Sequence, residues 1–109
     1  MSIPDFSLKG KVAFVTGGRR GIGQTIALAF AEAGADIAVC DLVVEDGRLE
    51  EVAEEIRRMG RRALAAQADT SQKADVENIV DKVMNQFGTI DILVNNAGIT
   101  RDTTVYLIF

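Results

Sequence analysis

The chain has 109 residues, 48% of them hydrophobic and 26% charged, with a formal net charge of −4 at neutral pH. This is enough for one domain with a packed core. It offers no broad positive field for nucleic acid or an anionic membrane, and its single cysteine excludes an internal disulfide. No apolar run reaches membrane-spanning length and the opening MSIPDFSLKG holds no signal-peptide core, so a cytoplasmic location is expected.

Met1–Gly10 reads as a lead-in whose Phe6 and Leu8 pack on the edge of a sheet. Val12–Val15 is continuously apolar, the pattern of a strand buried on both faces. It breaks into a loop with glycines at 17, 18, 21 and 23, where backbone N–H groups can approach a ligand with no Cβ in the way. Ile22, Ile26, Ala27 and Phe30 then recur at helical spacing, with Gly34 as the stop. The loop therefore ends on a helix N-terminus, whose unpaired donors and positive dipole end suit a pyrophosphate.

Asp36–Asp41 is a second buried strand, in which Cys40 is expected to be a buried, unreactive thiol. Glu45–Met59 is amphipathic, with Leu49, Val52, Ala53, Ile56 and Met59 on one stripe; Gly60 ends it. Arg57, Arg58, Arg61 and Arg62 sit among Glu50, Glu51, Glu54 and Glu55, which suggests a solvated face. Ala63–Ala68 is a third strand, and Ser71 can cap a helix that buries Val76, Ile79, Val80, Val83 and Phe87 before Gly88. Ile90–Val94 is the fourth strand.

The pattern βαβαβαβ predicts an α/β fold of Rossmann type, a doubly wound parallel sheet in the order 3-2-1-4. The topological switch point lies between the first and fourth strands, beside the glycine loop. Asp41 stands 20 residues after Gly21 at the end of the second strand, where a carboxylate can accept from ribose hydroxyls. It would also repel a 2′-phosphate: at about 5 Å and an effective dielectric of about 20, each unit of like charge costs roughly 3 kcal/mol before screening. That is about a hundredfold in affinity.

The motif T-G-x-x-x-G-I-G at Thr16–Gly23, Asp41, Asp69-Thr70 and Asn95-Asn96-Ala97-Gly98 fall in one order, and this set resembles the short-chain dehydrogenase/reductase family from about Phe6 to about Asp102. The run Asn95–Asp102, NNAGITRD, looks most like bacterial 3-oxoacyl-carrier-protein reductases and the related sugar-acid and polyol dehydrogenases. The resemblance implies a dinucleotide cofactor held by Gly17, Arg19, Arg20, Gly21, Ile22, Gly23, Asp41, Leu42, Asp69, Thr70, Asn96, Ala97 and Gly98. It gives Asp69 and Thr70 the adenine, while Ala97 and Gly98 lie near a ribose and the asparagines bridge neighbouring strands. For Asn95 a structural role is expected, and Asp69 also reads as a simple turn residue. A basic residue in the glycine loop often marks NADP users in the resembling family, so Arg19 and Arg20 pull against Asp41. The fixed acid outweighs mobile arginines; NAD is expected, with NADP the less favoured alternative.

In the resembling family the reaction needs a tyrosine and a lysine four residues apart, with a serine before them. Tyr106 is the single tyrosine, falls eight residues after Gly98, and would need its lysine at position 110, so it receives no catalytic role. There is no histidine to serve as another base. Only 11 residues follow Gly98, too few for a parallel crossover to a fifth strand, which would leave the fourth strand as an apolar edge.

Two functions follow. The first is the cofactor-binding half, truncated after the fourth strand, of an NAD(P)-dependent oxidoreductase acting on a secondary alcohol or ketone. The second is a non-catalytic dinucleotide-binding or association module. No metal is expected. A homo-oligomer would need contacts other than the later helices that build the resembling family's tetramers. Efficient hydride transfer by these 109 residues alone is not expected.

Overall fold

The structure, a computed structural model, describes residues 7–96 and 106–108. Its elements are β1 (Val12–Thr16), α1 (Gly21–Glu32), β2 (Asp36–Asp41), α2 (Arg48–Arg58), β3 (Ala63–Gln67), α3 (Lys73–Phe87), β4 (Ile92–Asn95) and β5 (Tyr106–Ile108). The sheet order is β3-β2-β1-β4-β5, and the first four strands are parallel.

The two-residue period of β1 divides the molecule into two cores. Ala13 and Val15 face a cluster with Ala27 and Ala31 of α1, Ile37 and Val39 of β2, and Leu49, Val52 and Ile56 of α2. Val12 and Phe14 face the other way, with Ala38, Cys40 and Ile79, Val83 and Phe87 of α3. Helices therefore cover both faces, with α1 and α2 on one and α3 on the other. The change of side falls between β1 and β4, where the expected switch point lies. Register pairs Thr16 with Cys40 and with Asn95, so the carboxyl ends of β1, β2 and β4 finish level along one edge of the sheet.

Several boundaries differ from the sequence reading. The second helix begins at Arg48, because Val44–Gly47 closes a turn (Gly47 N–H to Val44 O, 3.2 Å) and Asp46 Oδ1 accepts the Arg48 N–H at 3.1 Å. Ser71 does not cap α3, which starts at Lys73 after Gln72; its N–H and hydroxyl both turn back to Asp69 Oδ1, at 3.0 and 2.6 Å. The fourth strand starts later than expected because Asp91 ties off β1, its carboxylate accepting from Val12 N–H at 2.9 Å.

The larger correction concerns β4, which is not a bare edge. Tyr106–Ile108 pairs antiparallel with it, Asn95 opposite Tyr106 and Leu93 opposite Ile108. An antiparallel return requires no crossover of the parallel kind. Leu8 packs on the first core and its N–H reaches Ala33 O at 2.7 Å, whereas Phe6 lies outside the described residues.

The arginines expected on one solvated face divide. Arg57 pairs with Glu50 and Glu54 on α2, at 2.8 and 2.6 Å. Arg61 and Arg62 lie beyond the helix and join elements: Arg61 Nε donates to Ala31 O at 3.3 Å, and Arg62 bonds Asp36 and lies 4.9 Å from the Phe87 ring centre. Arg62→Ala is expected to lower stability by about 1 kcal/mol, the sum of a largely exposed ion pair and a cation–π contact. Urea unfolding of the variant measures it. Among the described residues, no helix is long and apolar enough to cross a membrane and no acid, histidine or cysteine cluster could hold a metal.

Candidate functional site

The level ends of β1, β2 and β4 carry the conspicuous loops. After Thr16 the chain turns with Gly17 at φ 65° and Gly21 at φ 59°, left-handed values that a side chain would strain. Gly18 N–H donates to Cys40 O at 3.1 Å and Arg19 N–H to Asp41 Oδ2 at 3.3 Å, so the loop is fastened along the end of β2. On its other side Asn96 Nδ2 donates to Gly17 O at 3.2 Å, and Asn96 N–H to Thr16 Oγ1 at 2.9 Å. The Thr16 hydroxyl in turn lies 3.1 Å from Asn95 Oδ1. The asparagine pair thus joins the end of β4 to the end of β1, with Asn96 reaching on to the loop.

Gly23, in the first turn of α1, closes this corner by its lack of a side chain. A Cβ there would stand 2.1 Å from Gly17 O and 2.6 Å from Asn96 Nδ2. The N-terminus of α1 carries no side-chain cap and no acid in its first turn. Its first intrahelical bond is Gln24 N–H to Arg20 O, which leaves the N–H groups of Gly21, Ile22 and Gly23 ahead of the helical ladder. Asn96 Oδ1 is buried without a hydrogen-bond partner among the described residues, an expensive condition that a ligand donor relieves. Ile22, in the first turn of α1, and Leu42, directly after β2, are 54% and 57% exposed, large apolar side chains left in water.

On the β2 side Asp41 is not a strand-end residue facing water. Its side chain is 16% exposed, and its Oδ1 accepts Val43 N–H at 3.1 Å and lies 3.6 Å from Arg19 Nε. Arg19 is not mobile as expected: its side chain is 14% exposed, and Nη1 donates to Asp46 Oδ2 at 2.6 Å. Hydrogen bonds from Arg48 N–H and from Arg19 hold the Asp46 carboxyl below the ordinary carboxylate range. The bonds from Ser71 do the same for Asp69. Both carboxylates therefore favour the folded state above the ordinary carboxylate pKa, an advantage lost as the pH falls through their lowered values. Arg20 is exposed.

Asp69 and Thr70 follow β3 on the same edge, and Asp69 N–H is held by Asp75 Oδ2 at 2.9 Å. One Asp69 oxygen is spent on the turn at Ser71, as its simpler reading required. Ala97 and Gly98 lie outside the described residues. Tyr106 stands in β5 opposite Asn95. Cys40 is buried beneath the glycine loop; desolvation, reinforced by the Asp41 charge, pushes its thiol up to about 12. Iodoacetamide at pH ~8 is expected to leave the native chain unmodified and to alkylate it after unfolding, as intact mass would show.

Two features escaped sequence reasoning. Asp46 was one acid among many in an acidic stretch, although Asp-Gly-Arg before a helix is a turn signal. The Thr16 hydroxyl was read only as a motif letter.

A doubly wound parallel sheet with a glycine loop at its switch point defines a Rossmann-type α/β domain. Residues 11–107 match the short chain dehydrogenase family, and the chain belongs to that family. It is 46% identical over 92 residues to the 3-oxoacyl-[acyl-carrier-protein] reductase of Staphylococcus epidermidis, covering 84% of this chain and 37% of the reductase. Among solved structures it is similar to a short chain dehydrogenase from Burkholderia cenocepacia in complex with NADP, at 50% identity and TM-score 0.80, covering 86% of this chain and 38% of that one. A hydroxysteroid dehydrogenase from Escherichia coli matches at 38% identity and TM-score 0.79, covering 85% and 39%. The chain thus spans less than two fifths of the length of these relatives.

Proposed function

We propose that these residues form the dinucleotide-binding part of an NAD-dependent oxidoreductase acting on a secondary alcohol or ketone. The observation that carries the reading is the crevice itself: Gly23 flush beneath Gly17 O and the Asn96 amide, with Asn96 Oδ1 buried and unpartnered among the described residues. A Cβ would fill that corner, and the uncapped head of α1 offers N–H groups of the kind that hold a pyrophosphate.

In this reading Gly17, Gly21, Ile22 and Gly23 hold the phosphates. Asp41 accepts from the adenosine ribose hydroxyls, with Leu42 lying against that end. Asp69 and the Thr70 N–H take the adenine, and Asn96, Ala97 and Gly98 lie along the second ribose. A nicotinamide dinucleotide, when bound, supplies the acceptor for a hydride. The chain's own part is to fix its orientation and to exclude water with Ile22 and Leu42. The preference for NAD rests on the Asp41 carboxylate facing the place of a 2′-phosphate. The NADP-bound Burkholderia neighbour supports a nicotinamide dinucleotide at this crevice, and its NADP weighs against the NAD preference, which rests on Asp41 alone. The names of the relatives, a 3-oxoacyl reductase and a hydroxysteroid dehydrogenase, share alcohol–carbonyl chemistry and support the substrate class.

Amide hydrogen exchange during titration with NAD⁺ tests the reading. Protection concentrated at residues 17–23 and 41–43 is the expected result. Protection confined to other segments, or none, would contradict it.

A further inference from the structure

The guanidinium of Arg19 lies between two carboxylates from different elements. Asp41 closes β2, and Asp46 sits in the turn that opens α2. The two contacts are unequal. Nη1 meets Asp46 Oδ2 at 2.6 Å with hydrogen-bond geometry, while Nε stands 3.6 Å from Asp41 Oδ1 and is buried without a hydrogen-bond partner. Asp46 is itself fixed from the other side, its Oδ1 accepting Arg48 N–H at 3.1 Å and its Oδ2 lying 4.0 Å from Arg48 Nε. Arg19 and Arg48 also line one open cleft of about 310 Å³ between α1 and α2, together with Gln24, Glu51, Val52 and Glu55.

We propose that Asp46 is a positioning residue for cofactor choice. By drawing the Arg19 guanidinium toward the head of α2, it keeps the Asp41 carboxylate available to ribose hydroxyls and withholds the arginine from a 2′-phosphate. The inference rests on the dinucleotide reading above and adds a residue that does not touch the cofactor. The physical basis is the competition for one cation. Anchored to Asp46, Arg19 neutralises Asp41 only at a distance, and its charge is held at the head of α2, away from a dianionic group beside Asp41. Released from Asp46, the same guanidinium has two destinations. It can close on Asp41, removing the acceptor that favours NAD, or turn to a 2′-phosphate, which it binds as a fork. Both destinations shift choice in the same direction.

The test measures dissociation constants of NAD⁺ and NADP⁺ by calorimetry on the 109-residue chain and its variants. Asp46→Asn is expected to shift the affinity ratio about tenfold toward NADP⁺, and Asp46→Glu to restore most of the original ratio. In an Arg19→Gln background the same Asp46→Asn substitution is expected to move the ratio by less than about threefold, because the cation it positions is gone. Mere loss of a turn contact would weaken both dinucleotides alike, which the ratio does not register. A ratio unchanged within about twofold in Asp46→Asn, with both dinucleotides still binding, would overturn this inference alone. Failure of the unsubstituted chain to bind either dinucleotide would overturn the dinucleotide reading, and this inference with it.

Discussion

Gly23→Ala is expected to abolish dinucleotide binding and to lower stability by about 3 kcal/mol. Helix propensity alone argues the opposite, since alanine inside a helix is favoured over glycine by about 1 kcal/mol. The geometry decides. The added carbon would lie 2.1 Å from Gly17 O and 2.8 Å from Gly17 C, both backbone atoms that no rotamer change can move, and 2.6 Å from Asn96 Nδ2. Relief would come from displacing the glycine loop from α1 or breaking the Asn96–Gly17 bond, and each deforms the corner proposed to hold the pyrophosphate. Thermal unfolding and titration with NAD⁺ check the two effects together. A variant with unchanged stability and binding would show that the close approach of α1 to Gly17 is not required.

The second large effect is expected at Asp41. Asp41→Asn keeps the size and shape of the side chain, so one oxygen can still accept at the turn that Val43 N–H now makes at 3.1 Å. What it removes is the charge. By the Coulomb argument the NAD⁺:NADP⁺ affinity ratio falls by up to about a hundredfold, less whatever solvent screening removes. Arg19 adds to the change, because its 3.6 Å partner is then neutral and its charge is less compensated. Competition binding with both dinucleotides measures the ratio. An unchanged ratio would mean that Asp41 does not face the 2′-position.

Much of this was legible in the sequence because it depends on local pattern. The run Val12–Val15 is apolar at every position, and only a strand covered on both faces uses such a run, which places it at the centre of the sheet. The glycine spacing located the turn into α1, and the strand–helix alternation with a glycine loop after the first strand pointed to the Rossmann-type order β3-β2-β1-β4. What was not legible depends on partners distant in the chain. The antiparallel seat of Tyr106–Ile108 on β4 is a non-local pairing that no periodicity announces. Arg19 looked mobile because long arginines in loops usually are; only the fold brings Asp46, 27 residues on, within 2.6 Å of it. Ser71 was a reasonable cap by residue type, yet Asp69 competed for its hydroxyl and won with a charged acceptor at 2.6 Å.

The crevice between the ends of β1 and β4 is proposed to hold a nicotinamide dinucleotide and to prefer the one without a 2′-phosphate. The most direct test is calorimetric titration of the chain with NAD⁺ and NADP⁺ at physiological ionic strength, with 5′-AMP as competitor. Single-site, saturable binding of NAD⁺ with a dissociation constant below about 1 mM, displaced by 5′-AMP, and weaker binding of NADP⁺ are expected. No saturable binding of either dinucleotide, or tighter binding of NADP⁺ than of NAD⁺, would contradict this reading.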